Sequence, residues 1–290
     1  LMILTILKEK KMNIPELEQY EPTQKGNALV VFDIPNELYH SDVGKSSSFF
    51  RKFGESQIHA LEVEQETTKA MEFGTAAHYM LVEGDEAFHN NVGVIFGSPY
   101  TKANKEMKQE FIQRGLVVIN ESDMHAISQM SAYMIEEGKM YLDGDGKIPE
   151  ASFYWFEDDV LCKCRPDIIC KPQGLHQDYE IVVVDYKTTY SCSPESFKES
   201  VLKYGYAEQA AWYRRGMEAA GYKVKEFVFV AQEKKQPFAS KVFKITNEQM
   251  DLAWLTMEEH LHAYMRHLKG EKPSIYNSPN VVTLDLDGQD

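Results

Sequence analysis

The segment that most constrains this chain is Ile181-Val182-Val183-Val184-Asp185-Tyr186-Lys187. Four successive β-branched apolar residues form a short continuous run of the kind found in a strand buried on both faces. Strand side chains alternate faces with period two, so Asp185 and Lys187 point one way and Tyr186 the other. A carboxylate and an ammonium at the end of a buried strand are costly to desolvate. On its own, Asp185-x-Lys187 reads as a salt pair at a strand end on the surface. The apolar run before it and Pro166-Asp167 upstream argue for a functional pair instead.

The surrounding pattern gives the fold class. Ser152 to Phe156 is aromatic and strand-like, Glu157-Asp158-Asp159 turns the chain, and Val160 to Cys170 reads as the returning strand with Pro166 near its end. Glu180 to Lys187 is the third strand. Pro194 to Ala220 reads as one long helix stopped by Gly221, followed by strands at Glu226–Gln232 and Ala239–Thr246. Asn247 is expected to cap a last helix ending near Lys269. The first half reads as helices and loops, with helices at Thr67–Glu83 (closed by Gly84), Tyr100–Gly115 and Ser122–Gly138, and a turn at Gly144-Asp145-Gly146. The order implies an α/β fold, with helices around one central mixed sheet.

If the strand ending at Pro166-Asp167 pairs with the one ending at Asp185, the two carboxylates meet at one edge of the sheet. Two convergent carboxylates form a hard-oxygen site suited to Mg²⁺ or Mn²⁺. A nearby lysine can orient or help deprotonate a water and offset charge developing on a phosphoryl group. Metal-assisted hydrolysis of a phosphodiester uses all three residues.

Here the sequence resembles the PD-(D/E)xK nuclease superfamily, with Pro166-Asp167 as the first half of the motif and Asp185-Tyr186-Lys187 as the second. Within its RecB-like branch it is most similar to the RecE-type exodeoxyribonucleases (exodeoxyribonuclease VIII) of phages and prophages. Ile34 through His40 resembles their opening segment, and Phe73-Gly74-Thr75-Ala76-Ala77-His78 their Gly-Thr-x-x-His helix. Trp155 through Asp167 looks like their core hairpin, and Gln209-Ala210-Ala211-Trp212-Tyr213 like the Gln-x-x-x-Tyr motif.

The resemblance implies a restriction-endonuclease-like core with a helical N-terminal half. It divides the chain into an extension (1–29), a nuclease domain (30–270, helical over 30–150 and sheet-bearing over 151–270) and a tail (271–290). It makes His78, Asp167, Asp185 and the Tyr186 carbonyl metal ligands, with Lys187 positioning the attacking water and Gln209 and Tyr213 supporting substrate. Mg²⁺ is the implied cofactor, with Mn²⁺ able to substitute. Work on linear double-stranded DNA, 5′ to 3′ and without ATP, would leave a 3′ strand for a RecT-like annealing protein. A ring-shaped homo-oligomer is also implied. The alternative is a site- or structure-specific endonuclease of the same fold. A catalytically dead scaffold would lack one of Asp167, Asp185 and Lys187, and none is missing.

Charge bears on the partner. The chain has 290 residues, 31 basic and 45 acidic, for a net charge of −14, which argues against an indiscriminate polyanion binder. Residues 198–244 run the other way, with 10 basic and 5 acidic side chains. Lys198, Lys203, Arg214 and Arg215 are therefore candidates for a wall that tracks phosphates. Arg165 and Thr188, beside the acids, are further candidates.

Other motifs are set aside. Gly44-Lys45-Ser46 lacks the glycine five residues upstream that a nucleotide-binding loop needs, since Tyr39 stands there. Cys162, Cys164, Cys170 and Cys192 contain no C-x-x-C pair, so no iron–sulfur cluster is expected. His260, His262 and His267 read as an amphipathic helix face. No apolar stretch approaches the roughly 20 residues of a spanning helix, so no membrane partner is expected. The positive charge at Lys8-Glu9-Lys10-Lys11 follows the apolar Leu1–Leu7, opposite to a secretory leader, and Met12 is a candidate start. These features and the sparse cysteines place the chain in a bacterial cytoplasm.

Overall fold

The computed structural model describes residues 20, 22–63, 67–143, 146–170 and 180–276. The expectations for Leu1 to Met12, for the tail beyond 276 and for Gly144-Asp145 lie outside the described residues.

In chain order, a hairpin of β1 (Thr23–Lys25) and β2 (Ala28–Val31) leads to α1 (Asn36–Ser41), α2 (Ser47–Glu55) and α3 (Gln57–Glu62). Next, α4 (Lys69–His78) runs into a π-helical turn at Tyr79–Glu83. Then come α5 (Asp85–Asn91), β3 (Val92–Ile95), α6 (Lys102–Gln113), β4 (Val117–Asn120), α7 (Glu121–Ala132) and α8 (Glu136–Leu142). The strand-rich part holds β5 (Ile148–Pro149), β6 (Ser152–Glu157), β7 (Val160–Cys164), β8 (Ile168–Cys170) and β9 (Glu180–Thr189). It closes with α9 (Pro194–Tyr204), α10 (Tyr206–Ala219), β10 (Lys223–Glu233), β11 (Ser240–Ile245) and α11 (Asn247–Leu268).

The apolar run lies in β9, inside a five-stranded mixed sheet of order β11-β10-β9-β8-β5. β9 pairs parallel with β10 and antiparallel with β8. Its two faces feed two cores. Ile181 and Val183 join Trp212, Phe227 and Phe229 under α10 and α11, while Val182, Val184 and Tyr186 join Phe73, Ile127 and Val228 under α4 and α7. Each such side chain buried completely stabilises the fold by about 1.5–3 kcal/mol.

Five expectations are corrected. The strand read as Val160 to Cys170 is two strands in two sheets. β7 belongs to a four-stranded antiparallel sheet, β1-β2-β6-β7, and β8 to the five-stranded one. Pro166 lacks a backbone donor and sits where neither ladder asks for one. Among the described residues the single sheet is therefore three, counting the parallel pair of β3 and β4. The long helix is two, because Gly205 adopts φ 66° and ψ 41°, left-handed geometry that caps α9 before α10 begins. Likewise Ser122–Gly138 is broken between α7 and α8 at Tyr133. At the last helix the cap is Thr246 rather than Asn247, and it makes a reciprocal capping box with Gln249.

α10 ties the two larger sheets together. Its Trp212 is fully buried and donates Nε1–H to the Lys163 carbonyl at 3.0 Å. Gly216 lets the helix approach the four-stranded sheet, since a Cβ there would lie 2.7 Å from both Cys164 Sγ and the Trp155 ring. This close seating sets the height of Gln209 and Tyr213, about two turns and one turn earlier, above β9.

Candidate active site

The β8–β9 register pairs Ile168 with Val184, so one step further along the ladder Asp167 faces Asp185. The Tyr186 backbone N–H donates to Asp167 Oδ2 at 2.6 Å, which locks that carboxylate against the strand. Asp185 and Lys187 point toward α10, as the strand period requires, while Tyr186 points the other way and donates its hydroxyl to Gln232 Oε1 at 3.0 Å.

Asp185 is completely buried. Its Oδ2 accepts from Gln209 Nε2 at 2.9 Å, and the same Nε2 lies 3.0 Å from the Tyr213 hydroxyl oxygen. The expected i, i+4 face of α10 thus meets the acid directly. The Lys187 ammonium pairs with Asp185 Oδ1, and no other donor reaches that oxygen. A carboxylate oxygen accepts at two lone-pair sites, so one site on Oδ1 is left for a cation.

His78 ends α4 where the helix passes into the π turn, a feature frequent at functional sites. Its Nδ1 lies 3.6 Å from Asp167 Oδ2 and its Nε2 3.0 Å from Glu150 Oε1. Glu150 went unnoticed in the sequence. It has no partner at motif spacing and sits in the short link between β5 and β6. Its φ of 51° is uncommon for a non-glycine residue, and this is a signal that only coordinates carry. Among the described residues, His78, Glu150 and Asp167 are the group close enough to share one cation, with ligand atoms all within 4.8 Å of one another.

The charges follow from this packing. Burial pushes the Asp185 carboxyl up to about 7, further raised by Asp167 and opposed by Lys187. Burial also works against the charged forms of Lys187 and His78. The carboxylates outweigh it in both, Asp185 and Asp167 for Lys187 and Asp167 and Glu150 for His78, so both pKa values are raised. For Asp167 burial is outweighed by His78 and Lys187, and its pKa is lowered. The residues therefore fit a divalent cation. They offer carboxylates of unlike protonation, an imidazole and a buried oxygen with a lone-pair site left beside the Lys187 ammonium.

The groove in front of these groups has a volume of about 450 Å³ and is lined by His78, Asp167, Lys187, Thr188, Tyr206 and Tyr213 among others. A second groove of similar volume shares Tyr39, His40 and Tyr213 with it and carries Lys45, Arg51 and Lys163. Gly44-Lys45-Ser46, set aside as a nucleotide loop, opens α2 at the rim of this second groove.

The expected phosphate contacts divide. Thr188 is on the groove wall. Arg165 borders it but is 7% exposed, and its guanidinium donates to Ser152 Oγ at 2.8 Å, the Ile34 carbonyl at 3.1 Å and Asn36 Oδ1 at 3.4 Å. It braces the opening segment rather than offering a free donor. Arg214 pairs with Asp251 on α11, and Arg215 with Glu157. Lys203 is exposed at the end of α9, with its ammonium over the Tyr204 ring. Lys198 borders a separate apolar groove. Four of the ten basic residues of 198–244, Arg214, Arg215, Lys223 and Lys244, are held in local pairs. The four cysteines are free thiols, three of them buried. His260 packs over Gly54, and none of the three histidines of α11 belongs to the metal-competent group. Among the described residues no helix is long and apolar enough to cross a membrane.

Comparison with known proteins adds a family. The family model described as "PDDEXK-like domain of unknown function (DUF3799)" matches residues 46–279. A crystal structure described as a "putative exonuclease" from Eubacterium rectale superposes with a TM-score of 0.58 at 15% identity, covering 88% of this chain and 96% of that one. At that identity the likeness shows the fold. A second structure, SSO0001, covers 74% of this chain and 84% of its own at 12% identity, but its TM-score of 0.30 carries no argument. No curated protein matches the chain.

Proposed function

The chain belongs to the PDDEXK-like family DUF3799, and from that premise we propose that it is a metal-dependent exodeoxyribonuclease acting on linear double-stranded DNA. The observation that carries this reading is the meeting of buried Asp185, paired with Lys187, and the Asp167–His78 pair at one sheet edge.

Asp167, Asp185 and His78, with the Tyr186 carbonyl, would hold the cation. When bound, Mg²⁺ or Mn²⁺ supplies Lewis-acid stabilisation of charge on the phosphoryl oxygens. Lys187 holds the attacking water by hydrogen bonding, and its proton offsets negative charge on the phosphate. Gln209, anchored between Asp185 and Tyr213, fixes the orientation of the carboxylate. The joined grooves give a duplex end a path, with Thr188 on one side and Lys45 and Arg51 on the other. Lys203 remains available at the rim.

The motif series His78, Pro166-Asp167, Asp185-x-Lys187 and Gln209-x-x-x-Tyr213 supports a RecE-like role. In that role digestion runs 5′ to 3′ without ATP in a bacterial cytoplasm, and the 3′ strand passes to a RecT-like annealing protein. A ring of subunits would reconcile the net charge of −14 with a basic path for DNA.

The test is digestion of linear duplex labelled at its 5′ or its 3′ end, beside a covalently closed circle. Loss of the 5′ label first, with the circle intact, is expected. Cleavage of the circle would move the assignment to an endonuclease. Loss of the 3′ label first would reverse the polarity.

A further inference from the structure

The two ring nitrogens of His78 face two different carboxylates. Nδ1 looks toward Asp167 Oδ2 at 3.6 Å, on the side of the site where Asp185 and Lys187 converge. Nε2 lies 3.0 Å from Glu150 Oε1, with Glu83 Oε1 further off at 3.5 Å. An imidazole binds a cation through one nitrogen and commonly donates the other N–H to a carboxylate, which fixes tautomer and ring orientation.

We propose that Glu150 is a positioning residue that accepts the Nε2–H of His78 and so presents the Nδ1 lone pair, beside Asp167, to the divalent cation. The proposal rests on the metal-dependent reading above and adds to it a residue outside the motif series.

Three features of the structure hold Glu150 in this place. Its backbone N–H donates to the Asp167 carbonyl at 3.1 Å, so Glu150 and the acid it serves move together. Its left-handed backbone turns the side chain back toward α4. Its second oxygen, Oε2, faces Arg165 Nη1 at 3.6 Å. Arg165 is in turn fixed by Ser152, Ile34 and Asn36 and stacks over the Tyr39 ring at 3.9 Å. The chain of contacts runs from the opening segment through Arg165 and Glu150 to His78. It also explains why Arg165, adjacent to the catalytic motif, points inward.

The test uses the full chain and does not depend on DNA. Mn²⁺ binding is measured by calorimetry for the wild type and for Glu150→Ala, Glu150→Gln and His78→Ala, with melting of each metal-free protein as the folding control. In parallel, two-bond ¹H–¹⁵N correlation of ¹⁵N-histidine-labelled protein with saturating Mg²⁺ reports which His78 nitrogen carries the proton. His78→Ala assigns the signal.

Glu150→Ala is expected to weaken Mn²⁺ binding by about 10–100-fold without changing the stoichiometry. Glu150→Gln keeps an acceptor oxygen and restores most of the affinity. In the wild type the proton is expected on Nε2 and the lone pair on Nδ1. A proton on Nδ1 would overturn the proposal, even if Glu150→Ala does not fold. So would unchanged affinity in Glu150→Ala, or the loss of a whole bound ion, which would make Glu150 a ligand. A wild type that binds no Mn²⁺ would remove the metal reading as well. One that binds Mn²⁺ in the expected tautomer yet cuts no DNA would remove only the nuclease reading.

Discussion

Two lysine–aspartate pairs lie buried in this molecule, in different sheets. Lys163 on β7 meets Asp42 after α1, and Lys187 on β9 meets Asp185 two residues before it on the same strand. In the first pair every oxygen is occupied. Asp42 Oδ1 accepts from Lys163 at 2.9 Å and from the Gly44 N–H at 2.8 Å, and Oδ2 accepts from the Tyr154 hydroxyl at 2.7 Å. Lys163 also donates to the Tyr39 carbonyl. In the second pair Asp185 Oδ1 has the ammonium as its one partner. Burial wins at Lys163 and pushes its pKa down, although Asp42 opposes it. At Lys187 the two carboxylates win and the pKa is raised. Charge type and burial are alike, so neither marks the functional pair. What distinguishes it is coordination capacity left over.

The sharpest way to break this contrast is to remove one partner from each pair. Lys187→Ala should cut DNA hydrolysis by about 10²–10⁴-fold, the usual worth of a positioned proton-transfer group, while melting within a few degrees of wild type. Digestion rates and melting curves check both halves. Breaking the closed pair should instead unfold the protein. Asp42→Ala strands a buried ammonium and should cost about 3–5 kcal/mol in denaturant titration, with the residual folded fraction still active.

A smaller effect comes from pH. Folded Asp185 titrates at about 7, against 3.8 for its ordinary carboxyl. Between those values the folded state keeps a proton that the unfolded chain has released, so metal-free stability should fall as pH rises through that window. Asp185→Asn should flatten this slope in melting curves taken across it. Cations compete with the same proton, so Mn²⁺ affinity in the wild type should weaken as pH falls through about 7. The smallest effect is expected at Arg214. Its pair with the largely exposed Asp251 is worth about 0–1 kcal/mol, and Arg214→Ala should leave the salt slope of DNA binding unchanged.

How legible this was depended on the range of the cause. The strand period placed Asp185, Lys187 and Tyr186 correctly, because alternation is local and the apolar run fixed which strand is buried. The helix period likewise put Gln209 and Tyr213 on one face, and the fold class followed from element order. Long-range causes were not readable. Val160 to Cys170 looks continuous, and only the transfer of chain between two sheets shows that Pro166 divides it. Glu150 has no motif spacing and is brought to His78 by a backbone turn. The basic excess of 198–244 is a count that says nothing of local partners, and there Arg214, Lys223 and Lys244 pair with Asp251, Glu180 and Glu226. Of the cations that line the joined grooves, Lys45 and Arg51 come from the acidic first half, where a segment average hides them, and Arg51 also pairs with Glu55.

The most direct test of the account is hydrolysis of linear duplex DNA by wild type and by Asp185→Asn, each shown to be folded by its melting curve, with Mg²⁺ and with EDTA. The account predicts cleavage by the wild type in Mg²⁺ alone, with none in EDTA and none by a variant that melts at or above the wild-type temperature. Cleavage that survives in Asp185→Asn, or in EDTA, would contradict it, because the open carboxylate would then not be where the chemistry happens.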